Sequence, residues 1–376
     1  MIALIAWRTL THDRTRFAVT LIGIVFSVVL VGMQVGLLLN FINTTSIIPT
    51  SSQADIFVTA PGVSSAEIST PQNERRRYQV LGVPGVAVAE SYIVDFTFWK
   101  RPNGVRESVI LIGVAPGASM GLPWLLEGDV DGRRLLEFPD GVIVDRLYFE
   151  KLGVTGTGEM FEINGVRARV VGFTKGVRTF VQSPYIFTSL ANARRMMGMG
   201  DKHISYVLVK AEPGVAIAKL VADIQAHIPD STVRTTRDFA HGSSYYWLFT
   251  TGAGASLIIS AVLGILVGCV VVTQTLYANT IDRLPEYATL RAIGGGPGYL
   301  YSIVIGQAAL AALIGYLIGI AIVLVLVYLG RDASASPVMP PWLMGALAVN
   351  TFAVCLIAAT VSLGRLNRID PAQVFK

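Results

Sequence analysis

The chain has 376 residues, 52% of them hydrophobic and only 15% charged, with a mean hydropathy of +0.57. A soluble domain carries roughly 25% charged residues, so this composition points to an integral membrane protein and excludes disorder, collagen-like repeats and, with two cysteines, a disulfide scaffold. The formal charge of +5 is no sign of nucleic acid: residues 41–245 carry 21 Lys+Arg against 20 Asp+Glu, and the excess flanks the apolar runs.

Residues 1–16 place Ile2, Leu4, Ile5, Trp7 and Leu10 ahead of His12, Asp13, Arg14 and Arg16. The pattern suits a helix lying in the cytoplasmic membrane interface, or else an extension of the first span interrupted by charge. A helix crossing the roughly 30 Å hydrocarbon core needs about 20 apolar residues. Four segments qualify without a single Lys, Arg, Asp or Glu: residues 17–39, 248–277, 299–329 and 343–363. The first is too long for a signal-peptide core and precedes Asn40-Phe-Ile-Asn-Thr-Thr rather than a small-residue cleavage site, so it reads as an uncleaved anchor. The second and third exceed what a span requires and are expected to tilt or to project as stalks.

Arg8, Arg14, Arg16, Arg283, Arg291, Arg365, Arg368 and Lys376 lie on the short flanks of these spans, whereas the loop 330–342 carries only Arg331. The positive-inside rule then places both termini, the tail 364–376 and the loop 278–298 in the cytoplasm. Residues 40–247 and the loop 330–342 fall outside it. Cys269 and Cys355 lie in apolar runs as small hydrophobes.

The long outer stretch alternates strand-like and helix-like patterns. Strands are expected at 55–59, 86–99 and 105–114, the last two joined through Arg101-Pro-Asn-Gly104. A second hairpin pairs 160–163 with 166–172 through Asn164-Gly165, the residue pair that supplies the positive φ of a type I′ turn. Helices are expected at 72–81, 145–152, 190–197 and from Glu212 to His227. Together these make one α+β domain.

Two segments imitate catalytic motifs. A phosphate-binding loop needs G-x-x-x-x-G-K-[ST], but Gly153-Val-Thr-Gly-Thr-Gly158 is followed by Glu159 and Met160, and an acidic residue there repels phosphate. It reads as a helix-to-strand turn. Gly117-Ala-Ser119-Met-Gly121 fits the nucleophile-elbow pattern, yet Leu122-Pro123-Trp124 is poor context for the helix that must follow, and nothing places His203, His227 or His241 beside Ser119. Four histidines without paired ligand spacing give no metal site.

The cytoplasmic loop holds a sustained motif from Thr280 to Pro297. Pro285 and Glu286 suit the first turn of a helix, and Arg291 and Gly294 suit its end. Arg283, Glu286, Tyr287, Ala288, Leu290, Arg291, Ala292, Ile293 and Gly294 match the pattern R-x-x-E-[FYI]-[GA]-x-L-[RK]-A-[IL]-G. In this the chain resembles permease subunits of the MacB/FtsX-like (type VII) ABC transporters. The likeness extends to Ala6-Trp-Arg-Thr-Leu, Leu111-Ile-Gly-Val-Ala-Pro116, Leu152-Gly-Val, Asn164 to Gly172 and Arg368-Ile-Asp-Pro371-Ala. Met33-Gln34 and Ala54-Asp55-Ile-Phe-Val are similar to the DevC-type branch, whose members lack a fused ATPase domain.

The resemblance implies four transmembrane helices with a large α+β periplasmic domain in a bacterial inner membrane. It implies no enzyme and no cofactor on this chain, since ATP and Mg would belong to a separate MacB/LolD-like ATPase that Arg283, Glu286, Tyr287, Leu290, Arg291 and Gly294 contact. Further expected partners are a second permease copy in a homodimer, a membrane-fusion adaptor and an outer-membrane channel. The expected function is ATP-driven export of a lipophilic or peptide-like substrate. The alternative is an FtsX-like signalling scaffold that activates a periplasmic cell-wall hydrolase.

Within the spans, Gly32 and Gly36, Gly264 and Gly268, and Gly315 and Gly319 form G-x-x-x-G pairs. In lipid such pairs let helices approach closely, although glycine is common there in any case. Gln34, Gln274, Gln307 and Asn350 are able to hydrogen-bond across helices or to line a substrate path.

Overall fold

The computed structural model describes residues 14–128, 131–180, 183–282, 289, 296–331, 333 and 336–366. They form two compact units. The larger, Phe41–Ala255, is the α+β domain, and the other gathers the long apolar helices.

The α+β domain is built on a nine-stranded mixed sheet. Its elements are α2 (Ile47–Ser51), β1 (Ile56–Thr59), β2 (Gln72–Asn73), α3 (Arg75–Leu81), β3 (Val86–Lys100), β4 (Arg106–Val114), α4 (Gly132–Leu136), β5 (Gly141–Asp145), α5 (Phe149–Leu152), β6 (Met160–Ile163), β7 (Val166–Thr174), β8 (Tyr185–Ser189), α6 (Leu190–Met197), β9 (His203–Ile204), β10 (Tyr206–Ala211), α7 (Ile217–His227), β11 (Thr232–Thr235) and α8 (Thr236–Tyr245). The order across the sheet is β11-β1-β10-β3-β4-β8-β5-β7-β6, and β2 pairs separately with β9. The far end of β3 also pairs with β6, Trp99 opposite Ile163 and Lys100 opposite Glu162. That extra pairing closes β3, β4, β8, β5, β7 and β6 into a ring, which removes the exposed edge that an open sheet leaves.

Burial on both faces explains the strand sequences. In β4, Val109 and Leu111 join one core with Trp99, Val144 and Phe161, while Ile110, Ile112 and Val114 join the other with Phe57, Phe187 and Phe239. Successive side chains of a strand point to opposite faces, so a run such as Val-Ile-Leu-Ile is apolar throughout. A third core packs β1 and β10 against α3 and α7 through Ile56, Val207, Val80, Leu220 and Ile224. Phe239 holds α8 on the sheet by ring contacts with Phe57 at 5.1 Å and Tyr206 at 5.7 Å.

Both hairpins form. Asn164 and Gly165 have φ of 49° and 82°, as the type I′ turn requires. The helix expected at 72–81 starts only at Arg75, because Gln72 and Asn73 are drawn into a strand by pairing with β9. The helix expected at 145–152 is a 3₁₀ turn, Arg146–Tyr148, followed by α5; Asp145 instead ends β5 and its carboxylate accepts from the Leu147 N–H. The helix expected from Glu212 begins at Ile217, after a turn at Gly214 with φ of 86°.

Among the described residues, four helices are long and apolar enough to span a membrane: α1 (Arg14–Thr45), α9 (Gly252–Asp282), α10 (Pro297–Leu329) and α11 (Pro341–Leu366). Here α1 continues past Leu39, the end of the apolar run, to Thr45, and in its last turn the Thr44 hydroxyl donates back to the Phe41 carbonyl. In place of a helix start at Leu248 there is a π-helical turn, Tyr246–Thr250, then an extended Thr251 before α9. A Cβ at Gly254 would stand 2.3 Å from the Leu248 Cα, so only glycine permits this reversal. The expected interfacial segment lies outside the described residues for positions 1–13, as does the tail for 367–376.

Candidate functional site

The proposed ATPase-coupling residues Arg283, Glu286, Tyr287, Leu290, Arg291 and Gly294 also lie outside the described residues. The six helix-packing glycines are described, and each packs closely on a neighbouring segment of the membrane unit: a Cβ would meet an atom within 3.0 Å at Gly36, Gly268, Gly315 and Gly319, and at 3.1 and 3.3 Å at Gly264 and Gly32. On α9, a Cβ at Gly268 would lie 2.5 Å from the Ser27 hydroxyl of α1, and one at Gly264 would lie 3.1 Å from Cγ of Gln34. On α10, Gly315 and Gly319 face Ile24 and Val28 of α1, at 2.5 and 2.7 Å to the nearest atoms. Gly32 of α1 meets Leu347 of α11 at 3.3 Å, and Gly36 meets the Val338 carbonyl at 2.9 Å. Thus α1 is the hub of the unit, surrounded on several faces, and it buries a larger share of its apolar length than α9 does.

At the root of the α+β domain, the end of α1 and the segment leading to α9 are fastened by hydroxyls. Ser243 donates to the Thr45 carbonyl at 2.8 Å, Thr45 donates to the Ser244 hydroxyl at 3.0 Å, and Ser244 donates to the Ile42 carbonyl at 3.3 Å. An aromatic run continues the join: Phe41 packs edge-on to Phe180 at 5.2 Å, and Phe180 to Trp247 at 4.4 Å.

Trp247, in the π-helical turn, reaches a fully buried carboxyl. Its indole N–H donates to Oε2 of Glu67 at 3.1 Å and to the Ser65 hydroxyl at the same distance. Ser65 itself donates to Oε2 of Glu67 at 3.0 Å, and the Tyr185 hydroxyl to Oε1 at 3.4 Å. Glu67 has no exposed surface, and burial pushes its carboxyl up to about 7 against the pull of these donors. Sequence reasoning passed over Glu67, because a lone glutamate in a stretch rich in serine carries no motif.

An open cleft of about 840 Å³ borders the same root. Ile42 and Asn43 from α1, Arg237, His241 and Tyr245 from α8, and Leu248 and Phe249 line it. The exposed positions 237, 241, 245 and 249 follow the helical spacing of four, so one stripe runs from two basic side chains to two aromatic ones.

Ser119 is tied into its loop by Glu90. Its hydroxyl and backbone N–H both donate to Oε1 of Glu90, at 2.9 and 2.7 Å, and Met120 N–H donates to Oε2, so Glu90 is the cap of this loop. Gly153 and Gly158, at φ of 72° and 87°, serve the turn from α5 to β6, where Glu159 accepts from the Thr155 N–H at 3.0 Å.

Comparison with known families assigns both halves of the chain. A MacB-like periplasmic core domain matches residues 17–227, more than half of the sequence, and an FtsX-like permease C-terminal domain matches residues 258–371. The chain belongs to the MacB/FtsX-like ABC transporter permeases. An ABC transporter permease of Mycobacterium tuberculosis is 25% identical over 98% of both chains, and one of Mycobacterium bovis is 24% identical over 99% of this permease and 97% of the relative. Among solved structures, the extracellular domain of the noncanonic ABC-type transporter YknZ from Gram-positive bacteria aligns with 48% of this permease and 98% of its own length, at 16% identity and a TM-score of 0.37. The periplasmic region of MacB from Actinobacillus actinomycetemcomitans aligns with 52% and 94%, at 12% identity and a TM-score of 0.38.

The glycine contacts give a graded expectation for the permease. Gly268→Val and Gly315→Val drive methyl groups into Ser27 and Ile24, and overpacking of this kind costs about 1 to 3 kcal/mol each. Gly345→Ala, which meets nothing within 4 Å, is the control. Thermal unfolding in detergent should show both valine variants melting earlier and the control unchanged; equal melting of all three would mean that these contacts do not set the packing.

Proposed function

We propose that this permease is the membrane subunit of an exporter in which a separate ATPase, holding ATP and Mg, binds the loop 278–298 and drives motion of the α+β domain outside a bacterial inner membrane. The observation that carries this reading is the pairing in one chain of a MacB-like core domain and an FtsX-like C-terminal domain with a sequence that has no phosphate-binding loop. A permease without its own nucleotide site needs a partner to supply the work. The charge distribution given above supports a topology with both termini in the cytoplasm. A homodimer supplies two coupling loops for two ATPases, and an adaptor with an outer-membrane channel would carry the substrate onward.

The cleft supports export over signalling, because apolar Ile42, Leu248 and Phe249 beside basic Arg237 suit contact with a lipophilic or peptide-like substrate. Purified permease should hydrolyse no ATP, and turnover should appear when the ATPase that co-purifies from solubilised membranes is added. Turnover by the permease alone, in a preparation shown free of other ATPases, would refute the assignment. Co-purification of a cell-wall hydrolase instead would favour the FtsX-like scaffold.

Phe249 lines the cleft with 62% of its surface exposed. Replacing it with alanine should leave the fold intact, since exposed changes usually fall within about 0.5 kcal/mol. Export should nonetheless drop in a transport assay with the assembled complex. Undiminished export would remove the cleft from the substrate path.

A further inference from the structure

We propose that Glu67 is a proton-binding switch in the α+β domain: neutral, it anchors the π-helical turn that leads into α9, and ionised, it releases that turn. This goes beyond the export reading and stands or falls separately from it.

The geometry is that of a carboxyl placed in a dry site without a counter-ion. Ser65 lies on its own strap, Tyr185 comes from β8, and Trp247 from the turn. Tyr206 of β10 faces the strap as well, its hydroxyl donating to the carbonyls of Ala66 at 3.1 Å and Ser65 at 3.4 Å. From α8, Ser243 accepts from the Ala66 N–H. Tyr92 of β3 and Tyr148 act on Tyr185, and Tyr92 and Asp95 of β3 act on Tyr206. Among the described residues, the groups that act on Glu67, Tyr185 and Tyr206 include no Lys, Arg or His; one step further out, Asp145 and Arg178 act on Tyr148.

The hydrogen bonds suit the neutral acid. Oε2 already accepts from Ser65 and Trp247, at 3.0 and 3.1 Å, and keeps both when it is a carbonyl oxygen. Oε1 faces the Tyr185 hydroxyl at 3.4 Å, which rotates to accept once Oε1 carries the proton, and the backbone N–H of Glu67 also donates to the carboxyl. Protonation therefore loses no hydrogen bond. Loss of the proton leaves a charge whose desolvation outweighs the donors Trp247, Ser65, the Glu67 backbone N–H and Tyr185, which is the physical cause of the rise to about 7.

The charge finds relief through the weakest wall. Tyr185 and Tyr206 belong to strands in the middle of the sheet, whereas Trp247 belongs to a π-helical turn, an unusual geometry that recurs at functional positions. Moving that turn lets water reach the carboxylate at the cost of two indole hydrogen bonds. The turn is continuous in sequence with α9, so the proton occupancy of Glu67 is written into the start of a membrane-spanning helix.

The test is hydrogen–deuterium exchange on the full-length permease in lipid nanodiscs, read on residues 243–252 from about pH 5.5 to about pH 8.5 with intrinsic rates corrected. The wild type should exchange at least about tenfold faster at the alkaline end, with a midpoint near the titration of Glu67, and Glu67→Gln should stay protected throughout. A flat wild-type profile, or the same pH dependence in E67Q, overturns the switch. Trp247→Phe keeps the ring but removes the indole N–H that ties the turn to Glu67, so residues 243–252 should exchange at the fast, alkaline rate at every pH. Protection retained at low pH in W247F overturns the proposal even where E67Q fails to fold.

Discussion

Raising the pH from about 4 to about 8 will destabilise the permease by up to about 3 kcal/mol through Glu67 alone, since the carboxyl titrates near 7 when folded and at 4.5 when free. The sign follows from proton uptake. Below pH 4.5 both states hold the proton and the folded state keeps its full stability. Between the two values the unfolded chain ionises while the folded one does not, so stability falls; above about 7 both are ionised and the loss is complete. Release of the Trp247 turn caps the loss, because a hydrated carboxylate no longer carries the whole penalty.

Glu67→Gln separates this effect from every other titration. Burial also raises Asp95, with the same sign, whereas the hydrogen bond from Arg167 holds Asp140 below the usual carboxylate range, so that its contribution is lost only as the pH falls through acid values. Melting curves of wild type and E67Q in nanodiscs should therefore diverge from about pH 5 upward, with the variant the more stable at pH 8. Curves that stay parallel across that range would show that Glu67 is ionised in the folded state.

The membrane spans were legible because nothing competes with the signal. Four runs lack any formal charge, and length alone distinguishes them from buried core helices. The helices run on past the apolar runs, and the last turn of α1 meets Ser243 and Ser244 some two hundred residues later, a contact no local pattern encodes. In the α+β domain the hairpin at Asn164-Gly165 declared itself by turn chemistry. By contrast β5 and β10 were missed, as Val142-Ile-Val144 and Tyr206-Val-Leu-Val209 are buried on both faces and show no alternation. The ring closure through Trp99 and Ile163 depends on a register between strands far apart in sequence, which no local pattern encodes.

The candidate site divides along the same line. The G-x-x-x-G pairs were visible, but which helix each one faces was not, since the spacing is the same for contacts to α1, to α11 or to another chain. Trp247 and Glu67 are 180 residues apart. Neither residue type at its position suggests the other, and their meeting is a property of the folded domain alone.

Glu286→Lys should abolish export while leaving the permease inserted and folded. Glu286 belongs to the loop 278–298, which the charge pattern is expected to place in the cytoplasm; there Pro285 and Glu286 open the expected helix, and an acidic residue favours its positive end by about 0.3 to 1 kcal/mol. That capping loss is too small to unfold four spans held by close helix contacts. Across an interface with the ATPase the same reversal weighs more, because truncating one member of a buried hydrogen-bonded charge pair costs about 2 to 5 kcal/mol. The two effects are distinguished by Glu286→Gln, which keeps a side-chain acceptor at the helix start yet removes the charge. If Glu286 couples the subunits, E286Q should weaken ATPase co-purification or transport, and E286K should abolish one of them, with melting temperature unchanged in both. Full transport by E286K would leave Glu286 as a helix cap and no more, and the coupling role would then pass to Arg283 or Arg291 on the same loop.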